Sequence, residues 1–205
     1  MTMKSKGIML VVSGPAGSGK GTVNAILLKR EDFAFSVSAT TRAPRPGELD
    51  GVNYHFITRE DFLERITSGD MLEYTEYCGN FYGTPLKEAE EVLRSGKNLI
   101  LEIEVEGAMN VKRKYPDAVL VLLLPPSYSI QEERLRGRGT ETEEKILLRL
   151  ARAKEEVALA DSYDYVVYNY DGKADEAAAQ ILSVVEAEKL SIKRNRNVAE
   201  KYLNS

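Results

Sequence analysis

Hydrophobic positions in this chain come in consecutive runs more often than in alternation. IMLVV at 8–12, NLILEIEV at 98–105 and AVLVLLL at 118–124 lack the in-out rhythm of a sheet with one wet face. They predict strands buried on both sides, hence a parallel sheet covered by helices. Helical periodicity predicts helices over 22–29, 85–94 and 174–193, the second with Thr84 as N-cap and Pro85 in its first turn. Strand and helix alternate, which gives an α/β core with helices on both faces of the sheet.

Two stretches break this rhythm. From about 36 to 83 the chain turns polar and aromatic: NYHFI and MLEYTEY read as short strands flanking a helix opened by Thr58, with turn signals at RPGE and CGN. This predicts a small mixed α+β insertion. From 129 to 161 charge dominates, and RLRGRG is followed by Thr140 and Glu143 at capping-box spacing and then by a long helical pattern. That predicts a mobile helical lid. The expected partition is a core of 1–36, 88–129 and 161–205, an insertion of 37–87 and a lid of 130–160.

Composition narrows the function. With 205 residues, 43% hydrophobic and 29% charged, the chain suits one folded domain with appendages or two small domains. A net charge of −4 argues against general nucleic-acid binding, which rests on a broad excess of Lys and Arg. A small anionic ligand needs only a local cluster. The one cysteine, Cys78, cannot form an internal disulfide and reads as a small packed residue. Lys4 and Lys6 precede an apolar run too short for a secretory signal, and 118–124 falls far short of a membrane span of about 20 residues. The expectation is a cytoplasmic protein with no membrane, no nucleic acid and no obligate protein partner.

The first candidate site is SGPAGSGKGTV at 13–23. Gly14, Gly19 and Lys20 fit G-x-x-x-x-G-K between a buried strand and a helix, which favours a triphosphate-binding loop over a plain glycine turn. Backbone N–H groups from Gly14, Pro15, Ala16, Gly17, Ser18, Gly19, Lys20, Gly21 and Thr22, proline excepted, can supply a nest for phosphate oxygens, reinforced by the helix dipole. Lys20 can reach the outer phosphates. Gly21 follows the lysine where a Ser or Thr is usual, and Thr22 comes one place later. Two readings of Mg²⁺ stay open: Thr22 supplies a hydroxyl ligand, or the ion rests on water and phosphate oxygens.

SATTRAPRPGE at 38–48 offers a second anion site. Arg42 and Arg45 carry guanidinium groups suited to phosphate, and Pro44 and Pro46 stiffen the turn. Taken alone, this segment is better explained as a solvated arginine turn. The solitary His55 lies in an aromatic segment and reads as structural; no His/Cys cluster suggests zinc and no Ser/His/Asp set assembles.

Five segments in order, SGPAGSGKGT, SVSATTRAPRPGELDGVNYHF, LEYTEYCGNFYGTPL, ILEIEVEGA and RLRGRGTETEEKILLRL, resemble the guanylate kinases over nearly the whole chain. The resemblance implies a P-loop kinase core with a GMP-binding insertion and a helical lid, and transfer of the γ-phosphoryl group of ATP to GMP, with dGMP as a second acceptor and Mg²⁺ accompanying ATP. It implies Arg42, Arg45, Tyr54 and Tyr82 on the GMP phosphate, and Ser38, Glu73, Thr84 and Glu104 at the guanine base. Arg134, Arg138 and Arg149 match lid arginines, and Asn169 the position that contacts adenine. Lys20, Arg42, Arg138 and Arg149 become the expected catalytic cations, in a reaction governed by positioning and charge.

Guanine presents N1–H and N2–H₂ donors that carboxylates accept and that adenine lacks, so such a pocket selects guanine. Two departures stand out: Glu104 where the family usually shows Asp, and Glu106 where it shows Gln. Arg152 and Glu156 read as a surface i,i+4 pair. The alternatives are a kinase for AMP or dTMP, and a guanylate-kinase-like binding module without turnover. Retention of Lys20 and the lid arginines favours catalysis.

Overall fold

A computed structural model describes residues 6–77, 79–137, 139 and 142–204; Cys78, Arg138 and Thr140 lie outside the described residues. In chain order the first elements are β1 (Met9–Ser13), α1 (Lys20–Leu27), β2 (Phe33–Phe35), β3 (Ala39–Thr40), β4 (His55–Phe56), α2 (Arg59–Thr67), β5 (Met71–Tyr77) and β6 (Asn80–Pro85). Then come α3 (Leu86–Arg94), β7 (Asn98–Glu102), α4 (Val105–Lys114), β8 (Val119–Leu124), α5 (Tyr128–Gly137), α6 (Glu143–Val157), β9 (Tyr165–Tyr168), α7 (Ala174–Leu190) and α8 (Val198–Leu203).

Among the described residues five parallel strands run in the order β2-β7-β1-β8-β9, with Leu10 of β1 opposite Ile100 on one side and Val119 on the other. Side chains alternate across a strand, so β1 must be apolar at each position from Met9 to Val12 to be covered twice. Leu10 and Val12 pack with Val23 and Leu27 of α1 and Ile181 and Val185 of α7. Met9 and Val11 pack with Leu93 of α3 and Ala108 and Val111 of α4 on the opposite face.

The predicted insertion forms its own sheet, in the order β4-β3-β6-β5, mostly antiparallel but with β3 and β4 parallel. Its core is small: Ala39, Phe62, Met71 and Phe81. Phe62 of α2 is fully buried and stacks on Phe81 at 5.2 Å between centroids. Phe62→Ala should therefore cost about 3–5 kcal/mol locally. Hydrogen exchange should show β5 and β6 losing protection while β1 keeps it; unchanged protection would mean that this ring does not hold the sheet. Leu135 of α5 and Ile146 and Leu150 of α6 pack together and against Ala16 of the glycine-rich loop.

Several boundaries differ from the sequence reading. The strand predicted over 98–105 stops at Glu102, opposite Val12 near the end of β1, and Val105 already opens α4. A strand buried on both faces cannot enclose successive carboxylates. Pro85, not Thr84, occupies the N-cap position of α3, because Thr84 is still paired in β6 with Glu73 of β5. At α6 the N-cap position is Thr142, two residues beyond the predicted Thr140. The first helix starts at Lys20 and not at 22, and the long helix predicted to 193 ends at Leu190, where Ser191 is extended. Thr58 caps α2 as expected: the Asp61 N–H donates to its Oγ1 at 3.1 Å. Among the described residues no helix is long and apolar enough to cross a membrane.

Candidate active site

The glycine-rich loop is shaped by what stands behind it. Gly14 has φ +152°, and a Cβ there would lie 2.1 Å from the Leu123 carbonyl oxygen of β8. Gly19 has φ +90°, and its Cβ would lie 2.3 Å from Nδ2 of Asn169. Both positions need glycine for the backbone angle and for the close approach. Asn169, buried after β9, donates Nδ2–H to the Ser18 carbonyl at 2.9 Å. Its amide braces the loop from behind. Ser18 is fully buried, so it contributes backbone and not a side-chain surface.

Lys20 opens α1 and folds back over the loop, Nζ donating to the carbonyls of Gly14 at 2.6 Å and Pro15 at 3.4 Å. Loop residues Gly14, Ala16, Gly17 and 19–22 line a cavity of about 350 Å³. Its far wall is Arg149, Arg152 and Glu156 of α6, with Glu102 and Glu104 at its floor. Arg134 is not among the lining residues; it donates to the carbonyls of Gly17 at 3.3 Å and Asn169 at 2.8 Å and pairs with Asp171 at 2.6 Å.

A second cavity of about 230 Å³ is lined by Ser38, Tyr54, Glu73, Tyr82, Glu102 and Glu104, among others. Glu102 and Glu104 line both spaces, so the two cavities share a wall. At the closed end Glu73 is 5% exposed and accepts the Thr84 hydroxyl at 2.8 Å. Burial pushes the Glu73 carboxyl up to about 7, with the Thr84 bonds pulling the other way. Thr84 itself is buried, its hydroxyl turned to Glu73 and not to the cavity lining.

Arg42 and Arg45 are not among the lining residues; Arg42 donates to Glu48 at 2.9 Å and to the Ala43 carbonyl at 2.6 Å, with its guanidinium 5.6 Å from the ring of Tyr54, which does line the cavity. Tyr54 meets Tyr82 edge-on at 6.0 Å. Burial works against the Arg42 charge, but Glu48 and Tyr82 outweigh it and hold its pKa above the ordinary arginine value. Arg45 is exposed, and its backbone N–H donates to the other Glu48 oxygen at 2.7 Å. One carboxylate thus shapes the whole arginine turn.

For Mg²⁺ the fit is to a partly hydrated ion. Among the described residues no group of three or more His, Cys, Asp or Glu could hold a metal. Thr22 is exposed in the cavity that Glu102 also lines, a sparse set of hard oxygen donors suited to an ion that keeps water and phosphate oxygens.

The guanylate kinase family model matches residues 6–188. The chain is 50% identical over 194 residues to a guanylate kinase of Streptococcus thermophilus, covering 94% of this chain and 92% of that one. It is 48% identical over 203 residues to that of Lactococcus lactis, covering 98% and 97%. The chain belongs to the guanylate kinase family. The crystal structure of guanylate kinase from Anaplasma phagocytophilum superposes with a TM-score of 0.74 at 34% identity, covering 93% of this chain and 90% of that one.

As a guanylate kinase the chain brings together Lys20 and Arg149 around one cavity and Ser38, Tyr54, Glu73 and Tyr82 around the other. Arg134, Asn169 and Thr84 stand one step back, bonded to the loop or to Glu73. Arg152 and Glu156 do not form the outward surface pair expected of them: they face the loop cavity, and Arg152 also reaches Glu104 at 2.7 Å. The i,i+4 spacing fixed their mutual contact but not the direction of that helix face. Sequence reasoning also missed Glu48 and gave Glu102 no role. Glu102 accepts from Asn24 Nδ2 at 2.8 Å. Glu106 is exposed in the first turn of α4, where a carboxylate complements the helix dipole. His55 bridges β4 to Glu88 of α3 at 3.1 Å, a structural place.

Proposed function

We infer that the chain transfers the γ-phosphoryl group of ATP to GMP, giving ADP and GDP, with the two cavities holding the two nucleotides. The observation that carries this reading is their common wall: a main-chain nest with Lys20 opens on one side of Glu102 and Glu104, and on the other a cavity with the buried Glu73, Tyr54 and Tyr82, the Arg42 guanidinium standing 5.6 Å from the Tyr54 ring. The ATP phosphates lie along 14–22 beneath Arg149, with Arg134 and Asn169 shaping the loop. The guanine base lies toward Glu73, Thr84 and Ser38, with Glu104 at the wall, and the GMP phosphate toward Arg42, Arg45, Tyr54 and Tyr82. Residues 37–87 act as the GMP-binding part and 130–160 as the lid, closing on the core of 1–36, 88–129 and 161–205.

Phosphoryl transfer asks for alignment and cations more than for acids or bases. Lys20 exchanges its loop carbonyls for phosphate oxygens, Arg42 offsets the acceptor's charge so that its oxygen can approach, and Arg149 and Arg138 meet the transferring group from the lid. Closing excludes water that would otherwise hydrolyse ATP. When bound, Mg²⁺ neutralises phosphate oxygens; Thr22 and Glu102 are the residues that would hold it, directly or through water. ATP and GMP as substrates make the cytoplasm the working compartment.

Calorimetry with GMP tests the acceptor half. Arg42→Ala and Arg45→Ala should each weaken GMP by about tenfold to a hundredfold, the scale of a lost charge-assisted hydrogen bond, and leave guanosine unaffected. GMP binding unchanged in both variants would mean that the phosphate end lies elsewhere.

A further inference from the structure

Arg152 sits on α6 one turn beyond Arg149, and its side chain points into the loop cavity together with Lys20. Its Nη2 donates to Glu104 Oε2 at 2.7 Å and its Nε lies 3.3 Å from Glu156 Oε1. Glu104 is the residue where the family's usual Asp is lengthened by one methylene, and it is also part of the wall facing the GMP cavity. Glu156 is the less accessible partner, its side chain 14% exposed against 43% for Glu104. Burial and the Glu104 charge push the Glu156 carboxyl up, while Arg152 and Lys20 hold it down. One guanidinium therefore serves two carboxylates at the mouth of a phosphate site, and one of those carboxylates is within reach of the other nucleotide.

We propose that Arg152 is a positioning residue that links occupation of the GMP cavity to phosphate binding under the lid. While the GMP cavity holds no nucleotide, the Arg152 charge is directed to Glu104 and Glu156 and adds little to ATP binding. When guanine donors engage Glu104, that carboxylate satisfies its charge on the acceptor side, and Arg152 turns to the phosphates beside Lys20. GMP then strengthens ATP binding through a pair that spans lid helix and core, a coupling between sites that must be reciprocal. The inference rests on the assignment of the two cavities given above.

The test is titration of a non-hydrolysable ATP analogue with Mg²⁺, with and without saturating GMP. It is run on the wild-type protein and on Arg152→Met, Arg152→Lys and Glu104→Gln, each first checked for an unchanged melting temperature. In the wild type GMP should tighten the analogue by about tenfold, within the usual range of coupling between sites. Arg152→Met should reduce that gain below about twofold while shifting the analogue's affinity without GMP by less than about twofold. Arg152→Lys should restore part of the gain. Glu104→Gln should tighten the analogue without GMP and leave GMP little to add; the Arg152→Met/Glu104→Gln pair should lose no more coupling than either single variant.

Equal weakening by Arg152→Met with and without GMP would make Arg152 an ordinary phosphate contact, and no effect in either state would make it a surface pair; both overturn the proposal. Competition between GMP and the analogue for one site in the wild type would instead overturn the two-cavity assignment beneath it.

Discussion

Lys20→Ala should lower kcat by about 10³, the scale of removing a transition-state cation in phosphoryl transfer, equivalent to about 4 kcal/mol of barrier. In the structure Nζ already lies across the loop mouth, bonded to the Gly14 carbonyl, so the ammonium is held where the outer phosphates must enter. Losing that bond removes one net hydrogen bond of the loop, about 1 kcal/mol, too little to unfold a sheet whose central strand is buried along its length. The expected signature is a large fall in kcat with the melting temperature nearly unchanged and GMP affinity intact. Lys20→Arg should not rescue it, because a planar fork cannot replace a compact ammonium in a cradle this close. Steady-state kinetics with a thermal melt checks this; a kcat within about threefold of wild type would remove Lys20 from the chemistry.

How much of this was legible in the chain depends on which force set each feature. The parallel sheet was readable because burial on both faces leaves no choice of residue type from Met9 to Val12 and along β8, and the glycine loop because Gly14 answers to the Leu123 carbonyl of β8 and Gly19 to the Asn169 side chain. Both are constraints that a local pattern records. The two cavities' shared wall was not legible. Glu102 and Glu104 lie on the turn from β7 into α4, and only the packing of the second sheet and α6 puts one space on each side of them. Arg152 failed for the same reason: helical spacing tells which side chains neighbour one another, while tertiary docking decides whether they face solvent or a site. Thr84 was misread because a Thr-Pro pair before a helix is a good cap signal, and the strand pairing with Glu73 overrode it.

Glu73→Gln should erase base selection. The ionised carboxylate can accept from guanine N1–H and N2–H₂, whereas the amide turns a donor toward them. GMP use, read as kcat/KM, should fall by about 10² to 10³, while AMP use changes little and the analogue of ATP binds as before. A panel of GMP, AMP and dTMP with ATP and Mg²⁺ reads this directly, and equal damage to GMP and ATP binding would displace the base pocket from Glu73.

The same carboxyl gives a pH signature. In the folded protein burial raises it from 4.5 to about 7. Between those values the folded state keeps a proton that the unfolded state has released, so this group's contribution to stability is complete below pH 4.5 and declines as pH rises toward 7, then levels off. GMP binding runs in the opposite sense, because only the ionised form accepts guanine's donors. Affinity should weaken by up to about tenfold per unit as pH falls below 7, and binding at pH 7 should expel about half a proton into the buffer. Calorimetry in two buffers of different ionisation enthalpy measures that proton. Glu73→Gln should abolish both the proton release and the acid-side slope, and their persistence in the variant would assign them to another group.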